Sequence, residues 1–409
     1  MYKIDQLAEK AVLVGKNKAE LEELKLLVDT AGAEILLTMT YHDLKIDPAY
    51  YIGSGKVREI KEAAEKVEAN LIVFDNELSP VQQRNLEDSI GVKVIDRAQV
   101  ILDIFAHHAH SKESKIQVEL AQLQYRLPRL TGRGVEMSRL AGGIGTRGPG
   151  ETKLEVDRRR IEKKIHRLKE KLKEIKESRE LQRSNREDPI AALVGYTNAG
   201  KSTLMNRLSN AENYTADQLF ATLDSTMRKL QLPVGQNIIL TDTVGFINKL
   251  PHQLVASFRT TLEEIENADI ILHLIDASNS EFEKNIKVVN QEIKKLAPEK
   301  SKIIKVFNKI DLIDEHRLND LKIFYPDALF ISALKEINTD LVIEKINEII
   351  KEKMIEIEID LHYSEAGWVE KIHNNARVDK EEYQKNNIYL KALVPKTFAA
   401  RLKKYSRSA

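Results

Sequence analysis

Four short segments carry side chains and spacings suited to holding a nucleoside triphosphate. GYTNAGKS (195–202) matches G-x-x-x-x-G-K-[ST]. Gly195 and Gly200 let the backbone wrap tightly round phosphates. The N–H groups of Tyr196, Thr197, Asn198 and Ala199 can turn inward, and a following helix adds its dipole. Lys201 supplies a point charge to the β- and γ-phosphates, and Ser202, with Thr203 behind it, offers a hydroxyl to Mg²⁺. In DTVG (242–245) Asp242 would hold Mg²⁺ through water, and the Gly245 N–H would reach the γ-phosphate past Thr243 and Val244. In NKID (Asn308, Lys309, Ile310, Asp311) the Asp311 carboxylate can accept from guanine N1–H and the 2-amino group. Adenine lacks that pair, so such a site rejects ATP by leaving a carboxylate unpaired. The Lys309 stem would lie along the base, and the Ala333 N–H of Ser332-Ala333-Leu334 would meet guanine O6.

Between the first two segments lies FATLD: Phe220, Ala221, Thr222, Leu223 and Asp224. A Thr here can ligate Mg²⁺ and sense the γ-phosphate, and Thr222 has the best spacing, although Thr215, Thr226 and Thr243 stand close by. The catalytic set read this way is Lys201, Thr222 and Gly245. Phe246 follows DTVG where a Gln would orient the attacking water, and no built-in arginine finger is evident. Slow intrinsic hydrolysis is therefore expected, with a partner supplying a factor of about 10³–10⁵.

Chemistry of this kind needs strand ends to carry it. IAALV (190–194), NIILTD (237–242), IILHLID (270–276), KIIKVF (302–307) and ALFIS (328–332) read as strands, and the motifs fall at their carboxyl ends, where α/β sheets take ligands. Residues 187–353 are thus expected to form a P-loop nucleotide domain. Upstream, AVLVG (11–15), EILLTMT (34–40), LIVFD (71–75) and VKVID (92–96) alternate with amphipathic stretches at 17–32 and 56–70, which predicts a parallel α/β domain over 1–110. Downstream, strands at 356–363 and 388–394 flank a helix at 364–375, an α+β domain over 354–409 with Trp368 and Tyr363 in its core.

Residues 111–186 differ in kind. Ile116, Leu120, Leu123, Leu127 and Leu130 repeat at heptad-like spacing, as do Ile161, Ile165, Leu168, Leu172 and Ile175, which predicts an antiparallel coiled-coil hairpin. The Gly-rich TGRGVEMSRLAGGIGTRGPGET (131–152) would be its tip. This segment holds 21 Lys/Arg against 11 Asp/Glu, a net +10 in a chain of net +1. Basic charge so localised suits insertion among RNA phosphates, with Arg133, Arg139 and Arg147 at the tip and Arg158, Arg159 and Arg160 on the helix as candidate contacts. A solvated coiled-coil face accounts equally well for any single helix charge.

Composition narrows the classes further. With 42% hydrophobic residues in 409, packed cores are expected, and the absence of cysteine excludes thiol catalysis, disulfides and zinc-thiolate sites. No apolar run reaches the roughly 18–20 residues of a membrane span, and the start does not read as a signal peptide. A cytoplasmic monomer without a membrane anchor is expected, with some peripheral membrane association left open. YIGSGKV (51–57) imitates the phosphate motif but lacks its first Gly and its Ser/Thr, so Gly53 and Gly55 read as loop residues before a helix. His107, His108 and His110 lack the acids of a metal site and read as helix-end packing or an RNA-facing group.

GYTNAGKST, FATLD, DTVGFI and NKID, together with YIGSGKV, FDNELSPVQQRNLE, VIDRAQVILDIFAHHA, GGIGTRGPGETKLEVDRRR and YSEAGWVEKIHNNARV, resemble the HflX family within the Obg–HflX group of translation-factor-class GTPases. Ser225 departs from the Pro usual in relatives. The resemblance implies an α/β fold of three parts: an N-terminal α/β domain with helical hairpin, a Ras-like GTPase domain and a C-terminal α+β domain. It also implies GTP as substrate, Mg²⁺, binding to the large ribosomal subunit and the 70S ribosome near 23S rRNA, and splitting or rescue of stalled ribosomes. Two other readings of the residues are a nucleotide-driven rRNA remodeller, with a second nucleotide site in 1–110, and a GTP-regulated binding module without hydrolysis.

Overall fold

The computed structural model describes residues 9–42, 46–130, 149–184, 188–209, 219–220, 224, 226–249, 264–402 and 405. The chain divides into two compact units, Met1–Ser184 with Ala216–Asp224 and Ile247–Thr260, and Asn185–Thr215 with Ser225–Phe246 and Thr261–Ala409.

In the first unit, strands β1 (Lys10–Gly15), β2 (Glu34–Thr40), β3 (Leu71–Phe74) and β4 (Lys93–Asp96) form a parallel sheet in the order β2-β1-β3-β4. Helices α1 (Lys18–Thr30), α2 (Ser54–Lys66), α3 (Pro80–Ile90) and α4 (Arg97–His108) connect and follow the strands. Local signals agree with the ends. Ser79 and Gln82 make a capping box on α3, Pro80 opens it, and Gly91 closes it with φ +88°. Val12, Val14, Ile60, Ile72, Phe74 and Leu86 lie in one buried cluster. In YIGSGKV, Gly53 precedes α2 as its cap, whereas Gly55 belongs to the first helical turn and not to the loop.

The hairpin forms from α5 (Lys112–Leu130) and α6 (Pro149–Ser184). Ile116, Leu120 and Leu123 pack with Ile165, Leu168, Leu172 and Ile175, as the heptad spacing predicts. Ion pairs Glu113–Arg179 (2.6 Å) and Glu119–Lys164 place the two helices antiparallel. Helix α6 starts at Pro149, inside the stretch expected to be tip, because Pro suits the first helical position.

In the second unit, β5 (Ile190–Gly195), β6 (Met227–Gln231), β7 (Asn237–Asp242), β8 (Ile270–Asp276), β9 (Lys302–Asn308) and β10 (Leu329–Phe330) form a sheet in the order β10-β9-β8-β5-β7-β6. All its pairings are parallel except β6 with β7. Helices α7 (Lys201–Leu208), α8 (Phe282–Leu296), α9 (Glu315–Phe324) and α10 (Asp340–Glu352) belong to it. A second sheet, antiparallel in the order β11-β13-β12, contains β11 (Met354–His362), β12 (Arg377–Tyr383) and β13 (Asn387–Pro395), with α11 (Gly367–Asn375) and α12 (Lys396–Leu402). Strands β6 (MRKLQ) and β12 (RVDKEEY) escape the sequence reading because they are charged edges, as edge strands often are. Trp368 packs on the core of the smaller sheet, 5.9 Å from the Phe398 ring, but Tyr363 is exposed and donates its hydroxyl to the Gln384 carbonyl.

Candidate nucleotide site

Strand β5 is buried throughout and releases the chain at Gly195 into the loop that opens α7 at Lys201. Gly200 sits at φ +90°, and a Cβ there would collide with the Asn308 amide, so glycine alone fits. Asn198 also takes a positive φ of 60°, a strained conformation held by its surroundings. The loop is tied to the strand beside it. The Thr197 N–H donates to the Phe246 carbonyl (2.8 Å), the Phe246 N–H to Gly195 O (3.0 Å), and Thr243 Oγ1 to Leu193 O (2.7 Å). Gly245 comes so close that a Cβ would lie 2.9 Å from Thr197 Cα and 3.0 Å from Lys201 Nζ.

Lys201 is buried and donates to the Tyr196 (2.9 Å) and Gly195 (3.3 Å) carbonyls. Burial pushes its ammonium down to about 8, while Asp242 pulls the other way. A buried cation depressed in this way gains most from an anionic ligand. Ser202 Oγ donates to Asp242 Oδ2 at 2.7 Å, an all-oxygen pair of the kind Mg²⁺ takes. Val244 is buried, and Tyr196 and Thr203 are partly buried.

Asn308 is the strut of the base side. Its Nδ2 donates to Ala199 O (2.9 Å), and its Oδ1 accepts the Ala333 N–H (2.9 Å). Three motifs distant in sequence thus meet on one amide. The Ala333 N–H, expected to face guanine O6, is instead directed at Asn308. Lys309, at φ +64°, pairs with Asp276 at 2.8 Å, a partner the motif reading missed although Asp276 ends β8. Asp311 sits in a short 3₁₀ turn, Ile310–Leu312, and, like Ile310, is partly buried, whereas Ser332 is buried and Leu334 exposed. Phe246, where a Gln would orient water, is part of the core. It is buried with Ala192, Val194, Ile265 and Ile271, and its backbone holds the loop.

Family models match along the chain: "GTP-binding GTPase N-terminal" over 18–106, "GTP-binding GTPase Middle Region" over 108–186 and "50S ribosome-binding GTPase" over 190–309. A GTPase HflX from Caldanaerobacter subterraneus is 46% identical over 97% of this chain and 94% of its own length. Another from Lacrimispora saccharolytica is 45% identical over 98% and 97%. The chain belongs to the GTPase HflX family. A GTP-binding protein from Sulfolobus solfataricus, solved with GDP, is 27% identical over 83% of this chain and 98% of its own, with a TM-score of 0.46, too loose an overlay to bear on the site.

Other expected site residues of this HflX chain belong to the first unit or lie outside the described residues. Ala221, Thr222 and Leu223 lie outside the described residues, as do Arg133, Arg139 and Arg147. Phe220, expected beside the nucleotide, packs in the first unit, its ring 4.7 Å from Phe105. Asp224 accepts the N–H groups of His110 (3.1 Å) and Ser111 (2.9 Å) and so caps the start of α5. Burial raises its pKa, but the bonds from Ser111, Ser114 and His110 outweigh this and hold the carboxyl below the usual range. Arg158, Arg159 and Arg160 are exposed and pair along α6 with Glu162 (2.9 Å), Glu155 and Asp157 (3.7 Å). His107 and His108 bond through Nδ1 to the Asp103 and Ile104 carbonyls, and among the described residues no cluster of metal-ligating side chains forms.

The carboxyl edge of the first unit's sheet carries an ion cluster. Arg97 bridges Asp75 (2.7 Å) and Glu23 (2.6 Å), and Lys249 bridges Asp75 (2.7 Å) and Glu20 (2.8 Å). Arg97 also donates to the Asn248 carbonyl at 3.1 Å. Three carboxylates at the edge where a parallel sheet would take a ligand disfavour phosphate there. Among the described residues, no helix is long and apolar enough to cross a membrane.

Proposed function

We propose that this GTPase binds GTP with Mg²⁺ across GYTNAGKS, DTVG, NKID and SAL, and that its GTP cycle drives splitting or rescue of stalled ribosomes from the large-subunit side. The observation that carries the nucleotide reading is the Asn308 strut, which joins the phosphate loop to the guanine-side segments at the carboxyl ends of β5 and β9. Lys201 would meet the β- and γ-phosphates, Ser202 and water-mediated Asp242 would hold Mg²⁺, and Asp311 would read guanine. Mg²⁺ would supply charge neutralisation between the β- and γ-oxygens. Gly245 and Thr222 would follow the γ-phosphate, so hydrolysis relaxes their segments and releases the factor. The ribosomal partner is supported by the relatives' family and by the net +10 of the hairpin, with 23S rRNA as the proposed contact of its arginines.

Steady-state hydrolysis with and without large subunits tests the reading. Stimulation that vanishes in Lys201→Ala is expected, together with subunit separation under GTP and not under GDP. A flat rate with GTP still bound would favour a GTP-regulated binding module. Phe246, buried where a water-orienting group would be needed, makes a low unassisted rate the expected baseline. The rRNA remodeller with a second nucleotide site is disfavoured because Arg97 and Lys249 at the carboxyl edge of the first unit's sheet are already engaged by three carboxylates.

A further inference from the structure

Strand β9 is interior to its sheet, with β8 on one side and β10 on the other. Interior parallel strands are normally covered on both faces. Here Ile303 stands 51% exposed, because the space between α8 and the chain leaving α9 is open. The resulting groove holds about 690 Å³, within the range of about 300–1,000 Å³ typical of ligand sites.

Its walls combine three kinds of group. Helix α8 presents Lys287, Asn290, Gln291 and Lys294, whose spacing puts them on one face, while Ile286, Val289 and Ile293 are its buried residues. Lys305 rises from β9, its amine 5.1 Å from the centre of the Tyr325 ring. Phe324, at the end of α9, is 76% exposed. The lysines outside the groove on α8 are paired: Lys284 with Glu281 (3.5 Å) and Lys295 with Glu292 (2.6 Å). Lys287, Lys294 and Lys305 make no ion pair with any described residue, and Asp327 is the one acid lining the groove.

We infer that this groove binds a short single-stranded RNA segment. Three lysines without carboxylate partners match a phosphodiester backbone, the exposed Phe324 and neighbouring Tyr325 offer rings on which unstacked bases can lie, and the Asn290 and Gln291 amides can reach base edges. A duplex has its bases stacked away from such rings. An acidic peptide would satisfy the lysines but would leave the Phe324 face unused. The groove shares no residue with the nucleotide site or with the hairpin arginines, so it stands whether or not those assignments do.

The test uses the full chain and a fluorescein-labelled single-stranded RNA 12-mer, with 4-thiouridine for crosslinking and peptide mapping. The expected result is crosslinking within 287–305 or 323–328. Joint Lys287→Glu and Lys294→Glu substitution should weaken binding tenfold or more and reduce the salt slope by roughly 1.4, about 0.7 per lost phosphate contact. Phe324→Ala should weaken binding several-fold with the slope unchanged. All three changes are on the surface, so GTP turnover and melting temperature should stay at the parent values. Crosslinks confined to the hairpin, or variants that bind like the parent, would overturn the inference. Equal affinity for the duplex form, or displacement by polyglutamate that ignores Phe324→Ala, would overturn it in favour of a different partner.

Discussion

At Lys201 burial and function pull against each other. The buried ammonium, pushed down to about 8, would recover its charge beside the phosphates proposed to bind there. Nucleotide held by Lys201 as proposed would raise this pKa above its value in the free protein, so affinity should be full below about pH 8 and fall as pH rises past it. GDP dissociation constants from pH 7 to 9.5 should increase by up to about tenfold per unit above 8, while Lys201→Met should show no such trend. Gly245 has no room for a methyl group against the Thr197 backbone. Gly245→Ala should therefore depress kcat far more than it changes GDP affinity, a split that single-turnover kinetics resolves. Asp311→Ala removes the carboxylate expected to distinguish guanine. GTP affinity should drop on the order of 100-fold, with ATP competing nearly as well, in an equilibrium competition assay.

Two elements carry predictions of their own. His273 lies inside β8 between β5 and β9, and burial with Lys305 nearby pushes its pKa down to about 4. An unfolded His titrates near 6.5, so the unfolded chain takes the proton first. The stability cost is absent above about pH 6.5 and grows as pH falls towards 4, reaching roughly 3 kcal/mol. Denaturant melts at pH 7 and 4.5 should show a smaller loss in His273→Leu than in the parent. The hairpin seam is thin, since Ile116, Leu120 and Leu168 are its buried apolar residues among those described, the others being partly buried. Leu168→Ala should cost about 2–3 kcal/mol locally, seen as faster amide exchange in α5 and α6 with the nucleotide site unaffected.

On the scale of the whole molecule, charge distribution matters more than net charge. A chain of net +1 holds +10 within 111–186, so ribosome association should depend on salt far more steeply than its net charge implies. Among the described residues Arg158, Arg159 and Arg160 pair with acids of their own helix, partners worth little and easily exchanged for phosphate. Replacing the three with Ser should lower the salt slope of large-subunit binding by roughly 2–3, measured by cosedimentation. An unchanged slope would leave them as an ordinary solvated face.

The sequence alone determined the motif order, the strands that carry the motifs, the heptad seam and the site of the basic charge, because each is written in local spacing. Apolar runs such as LIVF and IILHLID have few alternatives to a buried strand, and GYTNAGKS constrains its own backbone through Gly200. The tertiary structure decided what depends on distant neighbours. Asn308 joins Ala199 to Ala333 across more than a hundred residues of chain. Asp224 caps α5, because the orphan N–H groups at a helix start compete for any nearby carboxylate. Phe246, read in sequence only as a residue unable to orient water, is core. The charged edges β6 and β12 and the uncovered stretch of β9 had no local signature, since pairing and exposure are properties of the neighbours that a segment meets only after folding.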